Sequence, residues 1–146
     1  MISLHEELLK ILHEEKKLLE VLYKIVSEER DAIVALRADE LERILRDKET
    51  VIMKLSLWEQ ERQKLLGKHD LSDKSLSEII SQIENSEDAQ RLREIYSAMK
   101  TLLSAIGEIQ KINEQLIDRS IIHIKTAIKF LETFGIAPKQ SLSKEA

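Results

Sequence analysis

The chain contains no cysteine, a single proline and three glycines, and aromatic residues occupy only 3 % of its 146 positions. The absence of cysteine excludes disulfides and thiolate chemistry. A β-sheet protein needs β-branched and aromatic residues together with frequent turn formers, and this chain has few of either. Abundant Leu, Ile, Glu, Lys and Arg with almost no helix breakers is typical of long helices. The composition therefore predicts an all-α fold.

Long apolar runs and an excess of one charge are also missing. No segment approaches the roughly 18 consecutive apolar residues that a membrane span requires, so we expect no membrane insertion. The opening sequence "MISLHEE" has neither the basic segment nor the apolar core of a secretory signal. The net charge is −4 with acids and bases mixed throughout, which argues against a nucleic-acid surface. These features predict a cytoplasmic protein that binds no nucleic acid.

Apolar residues at helical spacing predict one domain over residues 1–135, followed by a short, polar, disordered tail at 136–146. The short connection between the first two helices forces them into an antiparallel hairpin. The expected architecture is an antiparallel long-helix bundle or coiled coil with three long helices and one short helix. The predicted helices span about residues 3–36, 39–66, 73–84 and 87–134.

Particular residues mark the predicted helix ends. Asp39, with Glu42 three positions later, resembles a capping box. The predicted N-caps are Asp39, then Ser72 or Asp73, and then Ser86. The residues predicted to end helices are Gly67, Gly135 and Pro138.

Several residues interrupt the apolar faces. Glu15 and Glu29 share a column with Leu8, Leu22 and Leu36, and we expect them at its edge with their stems packed, the alternative being a buried functional role. The same pattern predicts Trp58 in the core, with Arg62 over its indole ring. Lys48 is expected at the edge of the apolar stripe, with its charged end extending to solvent. Gly107 lies in mid-helix, which indicates either close approach of a neighbouring helix, the preferred interpretation, or a bend.

The last helix is predicted to be the longest, at roughly 70 Å against roughly 50 and 40 Å for the two hairpin helices. Aligned at one end, it outruns the hairpin by roughly 20 Å. Its inward column of Leu92, Met99 and Ile106 continues with the polar residues Asn113 and Ser120. A lone Asn in such a position sets register. Two polar residues in succession suggest instead that this face is not permanently buried and accepts an apolar partner.

The sequence contains no recognisable catalytic or metal-binding motif. No histidine follows an acidic residue by three positions, as in di-iron bundles. The three scattered glycines cannot form a phosphate loop, and no Gly-x-Ser-x-Gly elbow is present. We therefore expect no catalytic residues, no metal, no cofactor and no enzymatic activity.

Three stretches resemble a known family. The first is "EERDAIVALRADELERIL" at 28–45, and the second is "KETVIMKLSLWEQERQKLL" at 48–66, where Lys48, Leu55, Glu59 and Arg62 match a spaced pattern. The third is Asn113 with Leu116 and Ile117 in the last helix. These features resemble the FlgN-type flagellar type III export chaperones. Some members carry a glycine after the Asn and a longer tail, whereas Glu114 follows here, so the helix face becomes a better candidate site than the extreme C-terminus.

The resemblance implies a cytosolic chaperone for hook-associated (hook–filament junction) proteins. It would bind their C-terminal helical regions, prevent premature assembly and escort them to components of the flagellar export apparatus. The partner would lie along an apolar helix face. The predicted client-binding residues, with Asn113 setting register, are Asn113, Leu116, Ile117, Ser120, Ile121, Ile124, Ile128, Leu131 and Phe134.

Two other interpretations stay open at this stage. The last helix could form a homodimer in a structural coiled-coil protein, or the chain could be a helical regulatory binding module with no flagellar role. Each residue of the predicted surface could also simply close the bundle.

Overall fold

The computed structural model describes residues 3–84, 87–133 and 135. It confirms the all-α prediction, because the described chain forms three long helices and one short helix, with no strand among those residues. The helices are α1 (Leu4–Val34), α2 (Ala38–Lys68), α3 (Leu76–Ser81) and α4 (Glu87–Thr133).

Helix α1 is the centre of the bundle, because both α2 and α4 pack along it. Glu15 bonds to Arg62 and Glu29 to Lys48, so α2 runs antiparallel to α1. Asn113 of α4 contacts Val26 and Glu29 of α1. Further along both helices, Ile33 and Ser120 line the same cavity. Helix α4 therefore runs parallel to α1.

The core follows the predicted apolar faces. Leu8, Leu12 and Val26 of α1 and Leu92 of α4 are completely buried, and Leu66 of α2 is nearly so. Each fully buried leucine stabilises the fold by about 1.5–3 kcal/mol relative to an exposed one. Helix α3 packs on α4 and buries Ile79 and Ile80.

The hinge between α1 and α2 is a Schellman turn with leucine in the position that usually holds glycine. The Arg37 amide donates to the Ala32 carbonyl at 3.0 Å and the Leu36 amide to the Ile33 carbonyl at 3.2 Å. Leu36 adopts a left-handed φ of 56°. The predicted cap at Asp39 is wrong, because α2 begins at Ala38 and places Asp39 in its first turn, where a carboxylate still opposes the helix dipole.

Two further predicted helix ends are wrong. Gly67 lies inside α2, which ends at Lys68 in a second Schellman turn with Asp70 in the left-handed conformation. The cap of α3 is Ser75, whose hydroxyl accepts a hydrogen bond from the Glu78 amide at 3.2 Å, rather than Ser72 or Asp73. Gly135, two positions beyond the last residue of α4, adopts a left-handed φ of 67°, as expected near a helix end. Ser86, Pro138 and the predicted tail lie outside the described residues.

Helix α4 outruns α1 at the hinge end of the bundle. Helix α1 ends at Val34 beside Ser120, while α4 continues to Thr133. At about 1.5 Å per residue, α4 extends about 20 Å past the hinge. We call residues 120–133 the α4 extension. No helix in the described part of the chain is long and apolar enough to cross a membrane.

Candidate functional site

A buried polar network joins the three long helices just below the α4 extension. Lys48 donates to both carboxylate oxygens of Glu29, at 3.2 and 3.3 Å, and also to Gln110 Oε1. Asn113 Nδ2 donates to Glu29 Oε1 at 2.6 Å and to the Val26 carbonyl at 3.0 Å. Glu29 is only 2 % exposed and Asn113 is completely buried. Because the partners come from three different helices, the network fixes the register of α4 and α2 against α1.

Asn113 Oδ1 has no hydrogen-bond partner among the described residues. Leaving a buried acceptor unpaired costs free energy. Asn113 therefore contributes more to specifying the register of α4 against α1 than to the stability of the fold. Because its side chain is completely buried, Asn113 does not form part of the exposed surface.

A second buried pair joins α1 and α2 nearer the other end of the bundle. Arg62 Nε donates to Glu15 Oε1 at 2.9 Å. Burial raises the pKa of the Glu15 carboxyl above its ordinary value of 4.5, and the Arg62 guanidinium opposes that rise. The second nearby carboxylate, Glu59, adds a smaller upward shift to this pKa.

The structure corrects the predictions for these four charged side chains and for Trp58. Glu15 and Glu29 are buried rather than at the edge of the apolar stripe. Lys48 and Arg62 are their ionic partners, so Lys48 does not simply extend into solvent and the Arg62 guanidinium is engaged by Glu15. Trp58 is half-buried and lines a shallow surface cavity with Ile11 and Leu65, so it is not a core residue.

The predicted client-binding residues that follow Asn113 lie along α4, and those that the structure describes are exposed or half-buried. Ile117, Ile121 and Ile124 are exposed, Ile124 by 59 %. The half-buried members are Leu116, Ser120, Ile128 and Leu131. Phe134 lies outside the described residues. The structure therefore places a row of apolar side chains along α4, and no other described helix packs over its far end. We call this row the ladder; it consists of Ile117, Ile121, Ile124, Ile128 and Leu131.

Two apolar cavities flank this ladder where it passes the hinge. The larger, of 640 Å³, lies between α4 and the end of α1. The smaller, of 230 Å³, lies between α4, the hinge and the start of α2. Ile33, Leu36, Ser120 and Ile124 line both cavities. The ladder and the hinge thus form one continuous apolar surface.

The hinge half of this surface was not predicted from the sequence. Val34 is exposed, and Leu36, which the pattern assigned to the apolar stripe of the first helix, is 80 % exposed. Ile122, on the opposite side of the predicted ladder, also lines the larger cavity. A leucine immediately after a helix end, where glycine is preferred, was the available signal.

The ionisable side chains that line the two cavities all belong to basic residues. Arg119 and His123 line the larger cavity, and Arg37 lines the smaller. Arg37 is paired with Glu40 at 3.3 Å on the surface. Arg119 forms no ion pair within residues 3–84, 87–133 and 135. The surface is therefore apolar along its floor and basic along part of its rim.

The structure does not place Gly107 against a neighbouring helix. A Cβ atom added at Gly107 would meet nothing within 4 Å. The preferred interpretation, that this glycine permits close approach within the bundle, is therefore wrong for the described residues.

This fold and surface define a helical protein with an unpartnered apolar helix face. No group of three or more His, Asp or Glu side chains in the described ranges is placed to hold a metal ion. The family model described as FlgN protein matches residues 1–133. The chain therefore belongs to the FlgN family, which is a family of flagellar export chaperones. Comparisons with curated proteins and with solved structures gave no match.

Proposed function

We propose that this protein is a non-enzymatic, cytoplasmic chaperone that binds the C-terminal helical regions of hook-associated proteins. Binding would keep these subunits unassembled and allow their delivery to components of the export apparatus. Membership in the FlgN family supports a role in flagellar export generally. The observation that supports the specific mechanism is the α4 extension, whose apolar ladder continues about 20 Å beyond α1.

The proposed binding mode is a helix laid against a helix. An amphipathic client segment presents apolar residues at helical spacing to Ile117, Ile121 and Ile124. At the hinge, Leu36 contacts the same client face from the side. Burying these exposed side chains provides the main attraction, at about 25 cal/mol per Å² of apolar surface.

The basic residues at the rim indicate which charge the client helix carries along one edge. Arg119 and His123 lie beside the larger cavity, so acidic residues along one edge of the client helix would face them. A segment that is disordered when free must lose conformational entropy on binding. That loss limits the affinity and favours release at the export apparatus.

The test is calorimetry with purified hook-associated proteins encoded by the same genome. We expect direct binding to the full chain, and loss of binding in the double variant Ile124→Asp and Ile128→Asp, because two carboxylates would be desolvated in the interface. The melting temperature should stay close to that of the parent, since neither residue belongs to the buried core.

The matched control is Thr126→Asp together with Thr133→Asp. Both threonines are exposed on the same helix, and their helical positions place them on the side away from the ladder. This control adds the same charge and should bind normally. Absence of binding to every hook-associated protein would refute the proposed function, whereas self-association lost with the Ile124 and Ile128 changes would indicate a homodimer.

A further inference from the structure

We propose that, when no client is bound, a second copy of this chain covers the ladder, with residues 111–132 of the two α4 helices packed side by side and antiparallel. The dimer itself does not depend on the identity of the client, whereas its competition with a client for the ladder rests on the proposed function. Three observations support the dimer. They are the order of the charges beside the ladder, the spacing of the ladder and the open side of α4.

A column of exposed charged side chains runs beside the ladder. Asp118 and Lys125 lie three residues before and four residues after Ile121, so the helix places them next to it. No side chain of this column forms an ion pair within residues 3–84, 87–133 and 135. We call these side chains the charged column; they recur every seven residues and alternate in sign, in the order Lys111, Asp118, Lys125 and Glu132.

The signs of the charged column reverse about its midpoint. Two members equally far from that point, such as Asp118 and Lys125, carry opposite charges. An antiparallel pair related by a two-fold axis brings the same side of both helices together, so the column faces its own copy in reverse order. Asp118 of each copy then meets Lys125 of the other, and Lys111 meets Glu132. Every charge of the column therefore gains an opposite partner.

Other ways of pairing two copies do not match these charges. In a parallel pair the two columns lie on opposite sides of the contact, so neither meets the other. Sliding the antiparallel pair by one heptad brings Lys125 against Lys125 and Asp118 against Glu132, and like charges in contact are unfavourable. The column therefore specifies one orientation and one register, as charged positions beside a coiled-coil core do.

The remaining ionisable side chains of α4 within residues 111–132 are compatible with this alignment. Glu114 and Lys129 lie next to the charged column, equally far from its midpoint, and they are opposite in charge. Arg119 and His123 line the larger cavity, on the other side of the ladder from the column. The antiparallel pair therefore creates no contact between like charges along α4.

Within a single α4, the charges four residues apart repel each other. Glu114 and Asp118 are both acidic, and Lys125 and Lys129 are both basic. Like charges at this spacing destabilise an isolated helix. Lys129 and Glu132, which are opposite in charge and three residues apart, form no ion pair in the part of the chain that the structure describes. A second helix with the reversed order of charges supplies the counter-charge that α4 does not supply itself.

The ladder fits the same alignment. Its members are alternately four and three residues apart, which is the core spacing of a two-stranded coiled coil. In the antiparallel pair, Ile121 of each copy packs beside Ile124 of the other, and Ile117 packs beside Ile128. Ile121 and Ile124 are 46 % and 59 % exposed in the single chain. The pairing therefore removes apolar surface from water on both copies.

The bundle leaves this side of α4 open. Helices α2 and α4 both pack on α1 but not on each other in the described ranges. Lys111 and Ile117 are therefore exposed, although both precede the α4 extension. The end of α4 of a second copy can run past the hinge and lie against these residues.

The dimer and a client would use the same side chains, so the two states exclude each other. A contact of about three heptads from each copy is at the small end of protein interfaces, which makes the dimer weak. A dilute chain is therefore monomeric with its ladder free, whereas a concentrated chain without client has its ladder covered.

Sedimentation velocity of the full chain over a wide range of concentrations tests the dimer. We expect a monomer in dilute solution and a dimer in concentrated solution, with a Kd in roughly the micromolar range or weaker. A chain that stays monomeric at every concentration would overturn the proposal.

Charge reversal tests the register. Lys125→Glu places it against Asp118 of the other copy, and Asp118→Lys places it against Lys125, so each variant alone should dimerise about tenfold or more weakly than the parent. An equimolar mixture of the two variants should restore dimerisation, because each substituted residue then meets an opposite charge. Simple repulsion between chains of net charge −4 predicts instead that Lys125→Glu weakens the dimer and Asp118→Lys strengthens it.

The matched controls are Arg93→Glu and Glu94→Lys. Both residues are exposed near the start of α4, outside the proposed contact, and they make the same changes of charge. These variants should dimerise as the parent does, and circular dichroism verifies that every variant keeps its helices. A dimer that neither Lys125→Glu nor Asp118→Lys weakens, or a mixture that does not dimerise, would refute the proposed pairing.

Competition is tested by adding a purified hook-associated protein that binds the chain to the concentrated dimer. We expect the dimer to dissociate as the complex forms. A dimer that persists with client bound to both copies would overturn the shared use of the ladder. Absence of binding by every hook-associated protein would refute the proposed function and leave the dimer of the free chain unaffected.

Discussion

At the scale of single residues, the most informative position is Leu36. It adopts a left-handed φ of 56° in the hinge, where glycine is favoured, and its side chain is 80 % exposed. Neither its backbone nor its burial stabilises the fold. Its contribution is to the two apolar cavities that it lines beside α4. Leucine at this position therefore adds apolar surface beside α4, although glycine would suit the backbone of the turn better.

The substitution Leu36→Gly separates these two roles. Removing Cβ from a left-handed position should raise the free energy of unfolding, by up to about 1 kcal/mol. The same change should weaken client binding, because the hinge side of the surface is lost. Chemical denaturation and calorimetry measure the two quantities. A marked loss of stability would show that Leu36 packs in the folded core instead.

Glu15 provides a residue-scale prediction about pH. Because burial raises its pKa above 4.5, the folded chain holds this proton more tightly than the unfolded chain does. Its contribution to stability is therefore largest below pH 4.5 and is lost as pH rises through the raised pKa. Relative to Glu15→Gln, the parent should therefore lose stability as pH rises above 4.5. If the parent instead became more stable relative to Glu15→Gln as pH rises, the raised pKa would be contradicted.

At the scale of the helices, the composition and apolar spacing were sufficient to predict three long helices and one short one. The helix caps were less predictable, because Ser75 and its neighbours Ser72 and Asp73 all have suitable side chains. Which of them caps α3 depends on how the preceding loop leaves Lys68, and local spacing does not encode that path.

Helix register was the decisive unknown for the polar residues. Glu29, Lys48 and Asn113 each interrupt an apolar face. Considered one helix at a time, Glu29 and Lys48 look like edge residues, whereas Asn113 lies in an inward column with no visible partner. Only the alignment of three helices brings them together in one buried network. The exposed ladder on α4 was predictable because it depends mainly on helix length, whereas the hinge half of the surface depends on a turn conformation at Leu36.

The network yields an element-scale prediction. Lys48→Ala should lower the free energy of unfolding by about 3–5 kcal/mol, because Glu29 would remain buried without a cation. Lys64→Ala is the control. Lys64 pairs with Glu61 at 3.5 Å on the surface, where such a pair contributes at most about 1 kcal/mol. Urea unfolding of both variants makes the comparison. Similar losses would show that the network does not hold the three helices together.

At the scale of the whole molecule, the protein is a bundle around α1 with one helix that is longer than its partners. The buried network fixes where α4 leaves the bundle, and the hinge adds exposed apolar side chains at that same point. The bundle thus holds an apolar helix in a defined position beyond α1. This arrangement fits the proposed recognition of a partner through its shape and its apolar surface.

The central claim is that the α4 extension is the client-binding surface. The most direct measurement is amide hydrogen exchange of the full chain, alone and saturated with a hook-associated protein that binds it. Amides of residues 120–133 should exchange readily in the free chain, because little tertiary packing holds this segment, and should be slowed strongly in the complex. Unchanged exchange over residues 120–133 in a saturated complex would contradict the account.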